Sequence, residues 1–117
     1  GVYDPSWSPN GTTILVDQPM KFTRDGENGT AGIWHTLRIS AEGGEVMDLS
    51  EAGGHADGAE YLPSFSPDGK SVVLTIRYGR EDPAEVSLHI FKMNSEGGDL
   101  QQLTASSAWD EFAVWIG

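Results

Sequence analysis

Residues 3–11, Tyr-Asp-Pro-Ser-Trp-Ser-Pro-Asn-Gly, decide the fold, because they recur at 61–69 as Tyr-Leu-Pro-Ser-Phe-Ser-Pro-Asp-Gly. Six of the nine positions are identical, and Phe65 replaces Trp7 as the central aromatic residue. In each copy a strand ends near a proline, and Asn-Gly or Asp-Gly tolerates the positive φ angles that a tight reversal needs. An internal repeat built around such a turn predicts a modular fold, rich in short connections.

The similarity extends through three further blocks in the same order. Runs typical of strands follow the turn at 12–16 and 71–76. Residues 36–44 then match 90–98, and both segments end in Glu-Gly-Gly. The segment 110–115 begins the cycle again. Matching blocks in a fixed order indicate that one structural unit is repeated along the chain.

Each unit is predicted to be four antiparallel strands joined by short turns. Alternating apolar residues, Leu37 with Ile39 and Phe91 with Met93, place one face of the third strand in a core. The predicted fold class is therefore all-β, with antiparallel four-stranded β-propeller blades: two blades plus the first strand of a third. The predicted boundaries are blade 1 at 1–52 with a long loop at 17–32, blade 2 at 53–106, and the further strand at 107–117.

Three segments of the second unit carry a family resemblance. Residues 63–70, Pro-Ser-Phe-Ser-Pro-Asp-Gly-Lys, then 90–98 and Leu103-Thr104 resemble the PD40 repeat of TolB-like (WD40-like) propellers. The resemblance implies that the first strand of each blade is innermost. It also implies a non-catalytic scaffold that binds other proteins, in the periplasm or outside the cell.

The same resemblance selects two acidic residues as the candidate binding site. That family usually has Asp five residues before the aromatic residue of the repeat; Glu60 and Asp110 occupy this position, whereas Val2 departs from the pattern. Both acids are implied to lie at the mouth of the central channel, where they would attract cations or a basic peptide. The alternative is structural: a carboxylate that accepts nearby N–H groups and ties one blade to the next.

Other polar residues are interpreted as structural. His35 and His89 hold equivalent repeat positions, which favours a repeated packing or hydrogen-bonding role over a metal site. The chain has no Gly-x-Ser-x-Gly motif, and nothing orients either His as a base, so no catalytic residue is predicted. The loop 24–29 has the oxygen ligands that Ca²⁺ prefers, but it lacks a calcium loop's spacing and closing Glu. It is interpreted as a polar turn, without a cofactor or metal.

Several apolar residues have two possible roles. Met20 and Phe22, in the predicted long loop, reach a partner or fold back onto the sheet. Trp34 and Trp109 offer stacking surfaces for a ligand or pack within and between blades.

Composition excludes several classes of function. The chain has 18 acidic and 7 basic residues and a formal net charge of −11, and a surface this negative repels nucleic acid. No apolar run approaches the roughly 18–20 residues that span a bilayer, so membrane insertion is not expected. The absence of cysteine excludes disulfides and thiolate metal sites.

Two blades are too few to close a propeller, which needs about four to eight. The chain is therefore expected to be part of a longer propeller, with a homo-oligomeric ring, such as a six-bladed trimer, as the alternative. Two other functions stay open beside the protein-binding scaffold. One is the accessory, substrate-filtering propeller of a prolyl-oligopeptidase-like or tricorn-like serine peptidase. The other is an oligomerising two-blade module with aromatic and carboxylate pockets for glycans.

Overall fold

The computed structural model describes residues 1–22, 32–78 and 87–104, which form two four-stranded units joined by a short helix. The first unit contains β1 (Tyr3–Trp7), β2 (Thr13–Phe22), β3 (Gly32–Ser40) and β4 (Val46–Asp48). The helix α1 spans Leu49–Ala52. The second unit contains β5 (Ala59–Phe65), β6 (Ser71–Tyr78), β7 (Ser87–Asn94) and β8 (Gln101–Gln102).

Strands that follow one another within a unit pair antiparallel, as in a propeller blade. Between the units, the described residues contain one parallel bridge, in which Trp34 of β3 pairs with Ala59 of β5. The prediction of an all-β fold made of antiparallel four-stranded blades is confirmed. The predicted strand at 107–117 lies outside the described residues.

The repeated Ser-Pro-Asn/Asp-Gly turns have the same geometry in both blades. In each turn the serine hydroxyl donates to the side chain two residues later and accepts the N–H of the residue that begins the next strand. The glycine has the positive φ that the motif predicts. The matched pairs are Ser8 and Ser66 (2.8 Å to Asn10, 2.6 Å to Asp68), Thr13 N–H and Ser71 N–H (both 3.0 Å), and Gly11 and Gly69 (φ 72° and 73°).

The hydrophobic core lies between the two blades. In β6 and β7 the antiparallel register places Val72 opposite Met93 and Leu74 opposite Phe91, so these side chains share one face. Leu15 of β2 packs on that face from the first blade. Burial of this apolar area is the main contribution that holds one blade against the other. The complete cluster is Leu15, Leu49, Phe65, Val72, Leu74, Ile76, Phe91 and Met93.

The structure corrects the predicted loop at 17–32. Residues 17–22 belong to β2, and β3 begins at Gly32. The backbones of β2 and β3 pair across this stretch. The pairing register shifts between Pro19 and Lys21, which accommodates a proline that has no N–H to donate. Met20 is 48 % exposed. The predicted role of Phe22 and the proposed polar turn at 24–29 concern side chains outside the described residues.

The helix α1 is a second difference from the sequence prediction, which expected only strands and short turns. The Asp48 side chain accepts the Glu51 N–H at 3.0 Å and so caps the first turn. Leu49 is fully buried against both blades. The strand that begins at Val46 therefore becomes a helical connection as soon as it leaves β3.

One face of the first blade is open. Trp7 is 60 % exposed, although its repeat equivalent Phe65 is only 8 % exposed, in the core between the blades. The equivalence means that Trp7 lies on a face of blade 1 that corresponds to the covered face of blade 2. In the described part of the chain no helix is long and apolar enough to cross a membrane.

Candidate functional site

Glu60 lies at the junction between the blades and is fully buried. Its Oε1 accepts a hydrogen bond from the Thr36 hydroxyl of blade 1 at 2.7 Å. Its Oε2 lies 2.7 Å from His55 Nδ1 in the connecting segment. Because both oxygens are bound and the side chain is covered, Glu60 is not exposed to a ligand at a channel mouth. Its geometry is that of the structural alternative, a carboxylate that ties one blade to the next. Asp110 lies outside the described residues.

Two histidines flank this junction, each between a carboxylate and a backbone carbonyl. His55 Nε2 lies 2.7 Å from the Gly97 carbonyl oxygen, and its Nδ1 contacts Glu60. His35 Nδ1 lies 2.6 Å from Asp48 Oδ2, and His35 Nε2 lies 2.8 Å from the Ala56 carbonyl oxygen. A carboxylate and a carbonyl only accept hydrogen bonds, so both ring nitrogens must donate. The geometry therefore favours the imidazolium form of both residues.

The electrostatic surroundings agree with that protonation state. The hydrogen bond to Glu60 raises the pKa of His55, against the opposing effect of burial. Burial lowers the pKa of His35, but the hydrogen bonds to Asp48 and the Ala56 carbonyl outweigh it and leave the pKa raised. The equivalence of His35 and His89 is visible in the register, where they pair with Gln18 and Ile76.

A row of three aromatic rings runs across the junction where β1 and β5 begin. Trp34 of β3 lies between Tyr3 and Tyr61, which occupy the same position in successive repeats. The ring centroids are 5.5 Å apart for Tyr3 and Trp34 and 5.1 Å apart for Trp34 and Tyr61, with tilted planes. These separations are typical of stabilising aromatic pairs. Tyr3 is 52 % exposed, so the row packs the blades together and also presents a ring to solvent.

A pair of carboxyl groups lies beside the Tyr3 end of this row. Asp17, opposite Tyr3 in the register of β1 and β2, is fully buried. Its Oδ2 accepts the Leu62 N–H at 2.9 Å. Burial and the neighbouring Asp4 carboxyl raise the pKa of Asp17 to about 7, against the lowering effect of the Leu62 hydrogen bond. The exposed Asp4 and the buried Asp17 thus form a carboxyl pair whose buried member, Asp17, titrates near neutral pH.

Backbone irregularities position both members of this arrangement. Asp4 and Leu62 occupy the same repeat position and have φ angles of 53° and 55°, which are unusual for residues other than glycine. Each lies where the pairing register of its strand shifts. In β5 the shift directs the Leu62 N–H away from its own blade and onto Asp17. In β1 the corresponding residue places its carboxyl beside the same side chain.

A cleft of about 720 Å³ opens at the other end of the blades, where their turns meet. Carboxylates line it, including Asp48 and Asp68, and Arg38 crosses it. The Arg38 guanidinium donates to the Ser95 carbonyl of blade 2 and to Met47 Sδ at 3.2 Å, so this cation holds the blades together. The aromatic residue in the lining is Phe65, which is buried. The cleft therefore lacks the stacking surface that a glycan pocket between blades would need.

Trp34, His35 and Glu60 could be singled out from the sequence, whereas the Asp4–Asp17 carboxyl pair was not. Asp17 and Thr75 occupy the same repeat position, opposite Tyr3 and Tyr61 respectively. An aspartate is unusual in a strand interior, where hydrophobic or hydroxyl residues are common. This unusual residue type was the sequence signal that could have identified Asp17. Among the described residues no group of three or more His, Asp or Glu side chains is arranged to hold a metal ion. Trp109 lies outside those residues.

Comparison with known proteins places the chain among propellers. No family model matches it. The chain is similar to the TolB of Acinetobacter baumannii, with a TM-score of 0.64 and 19 % identity over 96 % of this chain and 23 % of that chain. It is also similar to the putative TolB of Agrobacterium tumefaciens, with a TM-score of 0.59 and 19 % identity over 84 % of this chain and 31 % of that chain. These similarities show that the two units have the blade fold of TolB propellers.

One curated protein is similar in sequence. The uncharacterized peptidase YuxL of Bacillus subtilis is 31 % identical over a matched region that covers 80 % of this chain. The chain spans only 18 % of the length of that peptidase and less than a third of either TolB structure. The chain therefore matches only a segment of each of these proteins.

Proposed function

We propose that this propeller segment is a non-catalytic scaffold that binds a partner protein through the surface around Tyr3, Trp34 and Tyr61. The TolB-like blade fold supports this function, and the observation that carries it is the partly exposed aromatic row. Tyrosine and tryptophan provide large, rigid contact areas and are enriched at the centres of protein interfaces. Two further apolar side chains are 48 % exposed: Val2, which precedes Tyr3, and Met20, which follows the Pro19 that pairs with Trp34.

Site-specific cross-linking tests this function. A photoreactive phenylalanine analogue at Tyr3 should cross-link to one partner in an extract of the source cell. The same analogue at Glu42, in the turn at the far end of β3, should not. Trp34→Leu should reduce the cross-link from position 3 without unfolding the chain. Equal cross-linking from both positions, or a yield that Trp34→Leu leaves unchanged, would contradict a binding role for the row.

A second candidate function is the accessory propeller of a serine peptidase. The similarity to peptidase YuxL favours it. Such a propeller filters substrates and carries no nucleophile, so neither candidate makes this segment the catalytic unit. A hydrolase domain encoded in the same reading frame would support the peptidase candidate. Its absence from the complete gene would leave the scaffold.

The location of the protein is part of the same proposal. For the scaffold we expect a periplasmic or extracellular protein, because the fold is that of TolB propellers. Fractionation of source cells with an antibody against this segment checks this. Recovery only with the cytoplasmic marker would contradict the location.

A further inference from the structure

The carboxyl pair at the Tyr3 end of the aromatic row has an unsatisfied atom. Asp17 Oδ1 is buried and has no hydrogen-bond donor among the described residues, although Oδ2 accepts the Leu62 N–H. Its neighbour is the carboxyl of Asp4. Two carboxylate oxygens repel each other unless a proton or a cation lies between or beside them. The buried atom is therefore satisfied either by the proton that the Asp17 carboxyl carries or by a cation that replaces this proton.

The surroundings favour an organic cation over a metal ion. A calcium site uses about six to eight oxygen ligands, and the described residues contain no group of three metal-ligating side chains here or elsewhere. An ammonium or guanidinium group needs fewer oxygens and also binds over aromatic faces. Tyr3 provides such a face, half exposed and directly before Asp4 in β1.

The charges around the pair indicate where the cation would sit. At the far end of the row the Arg77 guanidinium lies against the Tyr61 hydroxyl, which disfavours a second cation there. At the near end the Asp17 carboxyl has the Asp4 carboxyl as its charged neighbour. The whole chain carries a formal charge of −11, which attracts a positively charged partner over a longer range.

We propose that Tyr3, Trp34 and the Asp4–Asp17 pair bind a lysine or arginine side chain of the partner protein. This inference rests on the proposed function, because it specifies the chemistry of the partner that contacts the row. Asp4, which is exposed, contacts the cation directly. Asp17 is a positioning residue behind it: when the cation binds, the proton on Asp17 leaves to solvent, and the Asp17 carboxylate then stabilises the bound charge.

Binding of a dye-labelled, acetylated tetralysine amide, followed by fluorescence anisotropy, tests the site. We expect Asp4→Asn to weaken binding about tenfold, since a charge-assisted contact is lost. Tyr3→Leu keeps apolar area but removes the ring, and we expect a loss of about threefold. Glu42→Gln is the matched control: it removes the same unit of charge from an exposed turn and should change the affinity less than twofold. Equal losses in Asp4→Asn and Glu42→Gln would mean attraction by net charge alone and would overturn the proposal.

Proton release gives a readout that a structural role would not change. At pH 7, calorimetry in two buffers of different ionisation enthalpy should show a fraction of a proton released per tetralysine bound by the wild-type chain. The affinity should rise between pH 6 and pH 8, because the cation competes with the proton on Asp17. In Asp17→Asn the amide N–H₂ donates to Asp4 permanently, so both effects should vanish. No proton release from the wild-type chain would overturn the proposal.

Two further titrations separate this proposal from the proposed function. A tetralysine in which every side chain is acetylated should bind at least about tenfold more weakly. If it binds equally, the row recognises a neutral partner: the cation proposal fails, and the protein-binding function stands. If micromolar Ca²⁺ displaces tetralysine equally from the wild-type chain and from Glu42→Gln, which retains the carboxyl pair, the pair is a metal site and the proposal fails.

Discussion

At the scale of single residues, Asp17 is held in an unfavourable position for a charge. The folded chain holds its pKa at about 7, above the ordinary value of 3.8, so between these values the folded state binds more protons than the unfolded state. Stability attributable to Asp17 therefore falls as the pH rises from about 4 to 7. An amide at this position would keep the acceptor for the Leu62 N–H and would carry no charge.

Asp17→Asn should therefore raise the free energy of unfolding at pH 8, by roughly 1–3 kcal/mol, the usual penalty for a buried polar group without a partner. At pH 4 the gain should be near zero, because Asp17 is then protonated in the folded chain. Urea unfolding at pH 4, 6 and 8 measures the difference. Parallel pH profiles for the two proteins would contradict the raised pKa.

The buried Glu60–His55 pair gives a second dependence on pH. The pKa of His55 is raised in the folded chain, so its contribution to stability is complete below the unfolded value of 6.5 and is lost as the pH rises through the folded value. Glu60→Gln keeps an acceptor for Thr36 but removes the negative charge. We expect a loss of about 1–3 kcal/mol at pH 6 and a smaller loss at pH 8.5.

The measurement is urea unfolding of Glu60→Gln at both pH values, with the exposed Glu42→Gln as the control for a change in net charge. A loss that does not change with pH would mean that His55 is not the partner that titrates.

Residue types at these positions were readable from the sequence, but their partners were not. The repeat placed His35 and His89 in register correctly, because positional equivalence is a local property. It did not show that Glu60 contacts Thr36, because that contact depends on how one blade is set against the next. His55 lies in a connection that has no counterpart in the repeated blocks, so no pattern singled it out.

At the scale of elements, the connection α1 fits directly against the turn between β7 and β8. Gly97 has a φ of +91°, and a Cβ atom there would lie 2.1 Å from the Leu49 carbonyl oxygen. Its repeat equivalent Gly43 has a similar φ of +82° but nothing within 4 Å of a Cβ. A substitution at Gly43 therefore reports backbone strain alone, whereas the same substitution at Gly97 reports backbone strain together with steric overlap.

Gly43→Ala should destabilise the chain by about 1 kcal/mol, which is the strain of a side chain at positive φ. Gly97→Ala should cost about 2–4 kcal/mol more than that, because the blades must separate to admit the new methyl group. Chemical unfolding of both variants gives the comparison. Equal losses would show that the turn does not contact α1 in solution.

Strands and turns were the most predictable elements, because their signals are local. Ser-Pro-Asn/Asp-Gly specifies its own hydrogen bonds, and both copies formed them. The extension of β2 through Pro19 was not predictable from propensity, since pairing with β3 overrides the proline there. The helix α1 was not predicted for a similar reason. It has only four residues, and the burial of Leu49 depends on contacts with the second blade, which the local sequence does not contain.

At the scale of the whole molecule, the repeat allows the same aromatic position to be compared on a covered face and on an uncovered face of a blade. Phe65 shows how the aromatic position is buried when a neighbouring blade covers it, and Trp7 shows the same position exposed. Phe65→Ala should therefore cost about 3–5 kcal/mol of unfolding free energy. Trp7→Ala should cost less than about 1 kcal/mol, because an exposed side chain contributes little burial.

Trp7 should instead affect association. We expect light scattering to show that the wild-type chain gains mass as its concentration rises and that Trp7→Glu gains less, since exposed apolar patches promote contacts between molecules. A wild-type chain that stays a dispersed monomer at every concentration would contradict this expectation. Unchanged association in Trp7→Glu would assign the contact to another surface.

The parallel bridge between Trp34 and Ala59 has a consequence for how the protein opens. Since the described strands of the two blades share one such bridge, the ladders inside each blade are far more extensive than the link between them. Amide hydrogen exchange should then show two groups of protected strand amides, one in each blade, and each group should exchange independently of the other. The Leu62 amide donates to the Asp17 side chain across the junction. It should therefore exchange faster than its neighbours in β5, and its exchange rate should report how often the two blades separate.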